Sequence, residues 1–141
     1  MRNRTKSREY ALQMLYQVDI RKATTQQVMV GFWGAHEAET EDIKTFANQL
    51  VIGTVEQRDG LDALISSHTD NWDLNRMAVI DRNILRLGTY ELLHVQDVPA
   101  KVCINEAIEL AKRFGDTDSS KFINGILDAI HKKHAKSDAN G

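Results

Sequence analysis

The sequence predicts an all-helical protein, a bundle of about six to seven helices arranged as two packed three-helix sub-bundles. Three observations predict it. Apolar residues recur at offsets of three and four along almost the whole chain, the pattern of amphipathic helices. Proline, which breaks a helix by removing a donor and crowding the preceding turn, occurs once, at Pro99. Alternating β-branched runs of the kind that form half-buried strands are few.

A first helix is predicted from about Thr5 to Ile20, because Ala11, Met14, Leu15 and Val18 make one core-facing stripe. The second runs from about Thr25 to His36, although Gly31 and Gly34 each cost about 1 kcal/mol relative to alanine inside a helix. Thr40 stands where an N-cap is needed, ahead of acids that suit the positive end of a helix dipole. From there Ile43, Phe46, Ala47, Leu50 and Val51 open a helix that is expected to continue to Ile65, with Gly53 and Gly60 marking close contacts or a bend.

The polar stretch from Ser66 to Asn71 reads as a linker between a first sub-bundle, about 5–66, and a second, about 72–135. Met77, Ile80, Ile84 and Leu87 then share one face, with Leu85 and Leu92 beside it. So wide an apolar arc belongs in the middle of the fold. Pro99 separates this helix from the next, which carries Ile104, Ala107, Ile108, Ala111 and Phe114 and stops at Gly115. A last helix, capped by Asp118 or Ser119, turns Ile123, Ile126, Leu127 and Ile130 inward. Residues from about 135 to 141 have little to bury and are expected to be disordered.

A length of 141 residues with 42% hydrophobic content suits a single domain with a real core. Lysine and arginine number 18 against 20 acids, a net charge of −2, so the molecule as a whole exerts no pull on polyanions. Any nucleic-acid binding must come from a local patch. Cys103, the single cysteine, excludes an internal disulfide and a thiolate zinc cage, which fits a reducing compartment. No apolar run approaches the roughly 20 residues of a membrane span, and the basic N-terminus lacks the apolar stretch of a signal peptide, so a cytoplasmic protein without membrane contact is expected.

Enzyme chemistry finds no foothold. The histidines at 36, 68, 94, 131 and 134 are scattered without HExxH spacing, and no phosphate-binding loop, dinucleotide fingerprint or nucleophile elbow occurs. No catalytic residue, metal site or cofactor is therefore predicted.

Several words of the sequence are specific together though weak alone: Asn71-Trp-Asp-Leu-Asn-Arg-Met77, Asp81-Arg-Asn-Ile-Leu-Arg-Leu-Gly-Thr-Tyr-Glu-Leu-Leu93, Val98-Pro99, Ile104-Asn-Glu-Ala-Ile-Glu-Leu-Ala-Lys112 and Lys121-Phe-Ile-Asn-Gly-Ile-Leu-Asp128. In this order and spacing, with a weaker stretch at Arg8-Glu-Tyr-Ala-Leu-Gln-Met-Leu-Tyr16, the chain resembles the NusB family. That resemblance implies two helical bundles and a role in transcription antitermination. It implies a partner, NusE, a small ribosomal protein that doubles as a transcription factor. Together the two would hold boxA-type RNA within the elongation complex and support transcription of ribosomal RNA operons.

The residues can be weighed one by one. Arg2, Arg4, Lys6 and Arg8 put four cations ahead of the first acid, Glu9, and basic arms of this kind neutralise phosphates. Read alone, the run is more readily a solvated, disordered terminus; the resemblance reverses that and makes it an RNA contact, weakened because Thr5 and Ser7 interrupt it. Tyr16 lies well over about 90° from the centre of the first helix's core stripe, where it could stack on an unpaired base or pack on a neighbouring helix. Phe122, about 100° from its own core stripe, is either an aromatic platform or the rim of the core. The resemblance favours RNA contact for both, with Lys121 beside Phe122 as the phosphate contact. Asp118 would repel phosphate, so it either accepts from a base or caps the helix. Arg82 and Arg86 fall opposite the apolar face of the central helix and are expected to reach solvent together, Arg86 being the better match to the family's RNA surface. Glu91 falls inside the apolar stripe and needs a cation or a helix N-terminus to offset its burial.

Two other readings stay open. The fold could serve as a protein-interaction scaffold with no RNA binding of its own, and a homodimer is compatible with the sequence. It could also be a fragment like the noncatalytic domain attached to some RNA methyltransferases, although a polar tail ending at Gly141 favours a free-standing protein.

Overall fold

Helix follows helix through residues 2–69 and 73–134, the part of the chain that the computed structural model describes. The helices are α1 (Arg2–Arg21), α2 (Thr25–Gly34), α3 (Glu41–Glu56), α4 (Arg58–Ser66), α5 (Val79–His94), α6 (Ala100–Phe114) and α7 (Ser119–His134), with a 3-10 turn at Leu74–Arg76 before α5. The described residues contain no strand. The expected disorder of 135–141, and the Asn71-Trp72 start of the motif, lie outside the described residues.

Ala11, Met14 and Leu15 are buried as the stripe predicts, and Leu12 joins them because α1 is covered on two sides, by α3 and by α5. A capping box starts α2: the Thr24 hydroxyl accepts from the Gln27 amide at 3.1 Å, and the Gln27 side chain accepts from the Thr24 amide at 3.0 Å. Thr40 does occupy the N-cap of α3, but its hydroxyl donates to Asp42 at 2.6 Å rather than capping the helix. The single helix expected from Ile43 to Ile65 is broken at Gln57, whose φ of −98° and ψ of 9° leave the helical region. The bend thus falls between the two glycines rather than on either.

Gly53 is instead a close contact. A Cβ built there would lie 2.1 Å from the Tyr90 ring of α5, so α3 and α5 approach only because this position has no side chain. Gly53→Ala is expected to cost about 1 to 3 kcal/mol through overpacking, read as a lowered midpoint in urea. An unchanged midpoint would mean that Tyr90 swings away freely.

Helix α5 is central, as predicted: it packs against α1, α3, α4, α6 and α7. Every residue from Asn83 to Thr89 is buried. Pro99 stands at the N-cap of α6, and Gly115 stops that helix in extended backbone, where a Cβ would meet the Ser119 hydroxyl at 2.7 Å. One continuous apolar cluster runs from Ala11 to Ile130.

Candidate nucleic-acid interface

The interface starts from α1, which is helical from Arg2 onward. In a helix, residues four apart share a face and residues two apart project about 200° from one another. The basic arm therefore does not present one row of cations. Arg4 lies over the Phe46 ring, 4.2 Å from its centroid, and meets Asp97 of the α5–α6 loop at 3.2 Å, with 43% of its side chain exposed. Lys6 projects elsewhere and meets Glu39 of the α2–α3 loop at 2.7 Å, half exposed.

Arg8 departs from the expectation of a solvent-facing cation. Its side chain is 3% exposed and bound to Glu91 of α5, itself 2% exposed, with Glu106 of α6 at 3.1 Å. This is the cation that Glu91 was predicted to need. The reason lies in the wheel: Arg8, Ala11, Leu12 and Leu15 stand at offsets of zero, three, four and seven, so Arg8 belongs to the core stripe itself.

Arg86 also departs from expectation, and with it Arg82. The structure buries Arg86, which bonds Asp62 at 2.7 Å and Asp19 at 3.1 Å, while Arg82 meets Asp19 at 2.8 Å. Arg86 has no solvent face to reach and Arg82 only a small one, because α1 and α4 bring Asp19 and Asp62 against that side of α5. Burial pushes the Asp19 carboxyl up, but hydrogen bonds from Arg82 and Asn83 and the two guanidinium charges outweigh it and hold the group at about 2, below its ordinary 3.8.

Tyr16 and Phe122 are half-buried, on neither extreme of the wheel. Phe122 rests against the edge of the apolar cluster. Asp118 and Lys121 flank it, both exposed, where α7 begins. The Asp118 carbonyl accepts from the Phe122 amide at 3.2 Å, the first intrahelical bond of α7. Among the described residues no carboxylate pairs with Lys121.

Arg113, at the end of α6, is the residue that sequence reasoning missed. It reaches across to Glu9 of α1 at 3.3 Å and is 65% exposed. Glu9 and Tyr16 are seven apart and share a face of α1, about 10 Å along its axis. The Glu9–Arg113 pair thus ties α1 to the end of α6, five positions ahead of Asp118. A Lys-Arg pair just ahead of a glycine helix stop was the available signal. The structure thus gathers Arg4 and Lys6 at one end of α1, and Asp118, Lys121 and Phe122 at the start of α7. Arg8 and Arg86 go to the interior.

The family model for NusB matches residues 5–132. A transcription antitermination protein NusB from Thermodesulfovibrio yellowstonii is 45% identical over 139 residues, with 92% of each chain covered. One from Bacillus subtilis is 45% identical over 130 residues, covering 92% of this chain and 95% of its own. Among solved structures, T. maritima NusB superposes with a TM-score of 0.88 at 41% identity, over 94% of this chain and 93% of that one. A crystal structure of antitermination factors NusB and NusE in complex with dsRNA does so with a TM-score of 0.87 at 28% identity, covering 95% of this chain and 99% of that one.

Proposed function

This chain belongs to the NusB family, and we propose that it is a noncatalytic transcription antitermination factor that holds boxA-type single-stranded RNA together with a NusE partner in the cytoplasm. Ribosomal RNA operons are the transcripts it would serve. The mechanism is assembly: RNA contacts on this chain and on its partner reinforce one another through effective concentration, and no bond is made or broken.

One observation carries the assignment of the RNA surface. Phe122 is half-exposed between the exposed Asp118 and Lys121 at the start of α7, and Arg113 just ahead of that turn reaches Glu9 of α1. Aromatic faces grip unpaired bases, cations meet the phosphates, and a carboxylate can accept from a base edge. Arg4, Lys6 and Lys121 supply the phosphate contacts in this reading. Arg8 and Arg86 act as positioning residues that hold α1 and α5 in place beneath it.

Tyr16→Ala and Phe122→Ala are each expected to weaken binding of a boxA-type oligonucleotide, measured with NusE present, by about 1 to 3 kcal/mol, or roughly 5- to 150-fold. Melting temperature serves as the control for folding. Unchanged affinity in both variants, with the fold intact, would remove the proposed surface. Duplex RNA as competitor tests strandedness, since a flat response to single strands would point to the groove of a helix instead.

A further inference from the structure

Three of the accessible cations around the proposed RNA surface are already paired with carboxylates. Arg4 ends on Asp97, Lys6 on Glu39 and Arg113 on Glu9, at 3.2, 2.7 and 3.3 Å. Each pair joins two different elements: α1 to the α5–α6 loop, α1 to the α2–α3 loop, and α6 to α1. None is the adjacent-turn pairing that decorates any helix surface. Glu39 is held in place by a second donor, the Tyr10 hydroxyl at 2.5 Å, and these two bonds, Lys6 first, keep its carboxyl below the ordinary carboxylate range. Arg4, Lys6 and Arg113 are themselves 43%, 50% and 65% exposed, so an arriving oxyanion can reach each cation.

We propose that Glu9, Glu39 and Asp97 set a threshold for RNA binding: they occupy the places of RNA phosphates and must be displaced when RNA binds. The inference rests on the RNA-binding reading above. Its physical content is an exchange of one oxyanion for another. A strand that offers phosphates alone swaps a carboxylate for a phosphate at each cation and gains little. A strand that also delivers unpaired bases to Tyr16 and Phe122 gains stacking that no carboxylate opposes. The pairs therefore lower all RNA affinity and push binding of generic RNA out of the working range. This matches a chain whose net charge is −2 rather than strongly positive.

The test is a set of double-mutant cycles read by fluorescence anisotropy at low salt, on a labelled boxA-type oligonucleotide and on one of equal length lacking boxA. Asp97→Asn, Glu39→Gln and Glu9→Gln should each tighten binding of the control RNA roughly 2- to 5-fold, the scale of exposed ion pairs. The gain should vanish when the cognate cation is already gone, in Arg4→Gln, Lys6→Gln and Arg113→Gln backgrounds respectively. Asp59→Asn, on α4 near the far end of α1, changes the net charge equally and should leave affinity nearly unchanged. Equal tightening with and without the cognate cation, or by Asp59→Asn, would show a diffuse field effect and overturn the proposal. So would three inert variants on a chain that binds RNA normally. A parent chain that binds neither oligonucleotide with NusE present would remove the RNA reading and this inference together.

Discussion

Replacing Arg8 with alanine is expected to cost about 3 to 5 kcal/mol of folding stability, the largest effect of any single substitution considered. Its guanidinium sits between Glu91 and Glu106, and Glu91 is 2% exposed. Truncation leaves a buried carboxylate with its cation missing. Glu91 must then ionise without its cation, take up a proton, or drag the helices apart. Chemical denaturation measures the loss. The double replacement Arg8→Met with Glu91→Leu should recover most of it, because a well-packed apolar pair of similar volume carries no desolvation penalty. A single variant as stable as the parent would show that the pair lies closer to solvent than the structure has it.

Arg86→Ala should follow at about 3 kcal/mol, somewhat less because Asp62, at 29% exposed, can be rehydrated once its partner is lost. Here the sign of the pH dependence is a second readout. The Asp19 carboxyl is held at about 2 against an ordinary 3.8, a difference worth about 2 kcal/mol. A depressed carboxyl contributes its stability above the unfolded value, so the contribution is fully present above about pH 4 and is lost as the pH falls through about 2. In Arg86→Ala one of the two guanidinium charges is gone, so Asp19 takes up its proton at a higher pH and acid unfolding moves upward. An acid midpoint identical to that of the parent would show that Arg82 and Asn83 alone hold the group.

Much of the architecture was legible because apolar spacing carries it. The central place of α5 followed from the wide arc of Ile84, Leu85, Leu87 and Leu92, and the breaks at Pro99 and Gly115 fell where the chemistry of those residues puts them. The division of one long helix at Gln57 was not legible, since nothing in the side chain of glutamine announces a bend. The family was readable from ordered words between Asn71 and Asp128, whereas the facing of the cations was not. Arg8 and Glu91 are 83 positions apart, and Arg86 and Asp19 are 67 apart. A wheel drawn for one helix shows which side a residue is on but not what another helix brings to that side. For Arg8 a local signal does exist, its place on the Ala11 stripe, although it also falls within the basic cluster that opens the chain. For Arg86 there was none, because the acids that meet it, Asp19 and Asp62, are brought by α1 and α4.

The helical start of α1 has a consequence for how capture proceeds. Flexible basic tails that order only upon meeting a polyanion forfeit part of the interaction energy as lost chain entropy, on the order of 1 kcal/mol or more for each residue that becomes fixed. In this chain that ordering is completed during folding, with Arg8 clamping the base of the helix to two others. On the RNA-binding function proposed above, the encounter is a rigid docking event, in which the rate is governed by orientation and the release of loosely held surface pairs, with no coil-to-helix step for temperature or osmolytes to modulate.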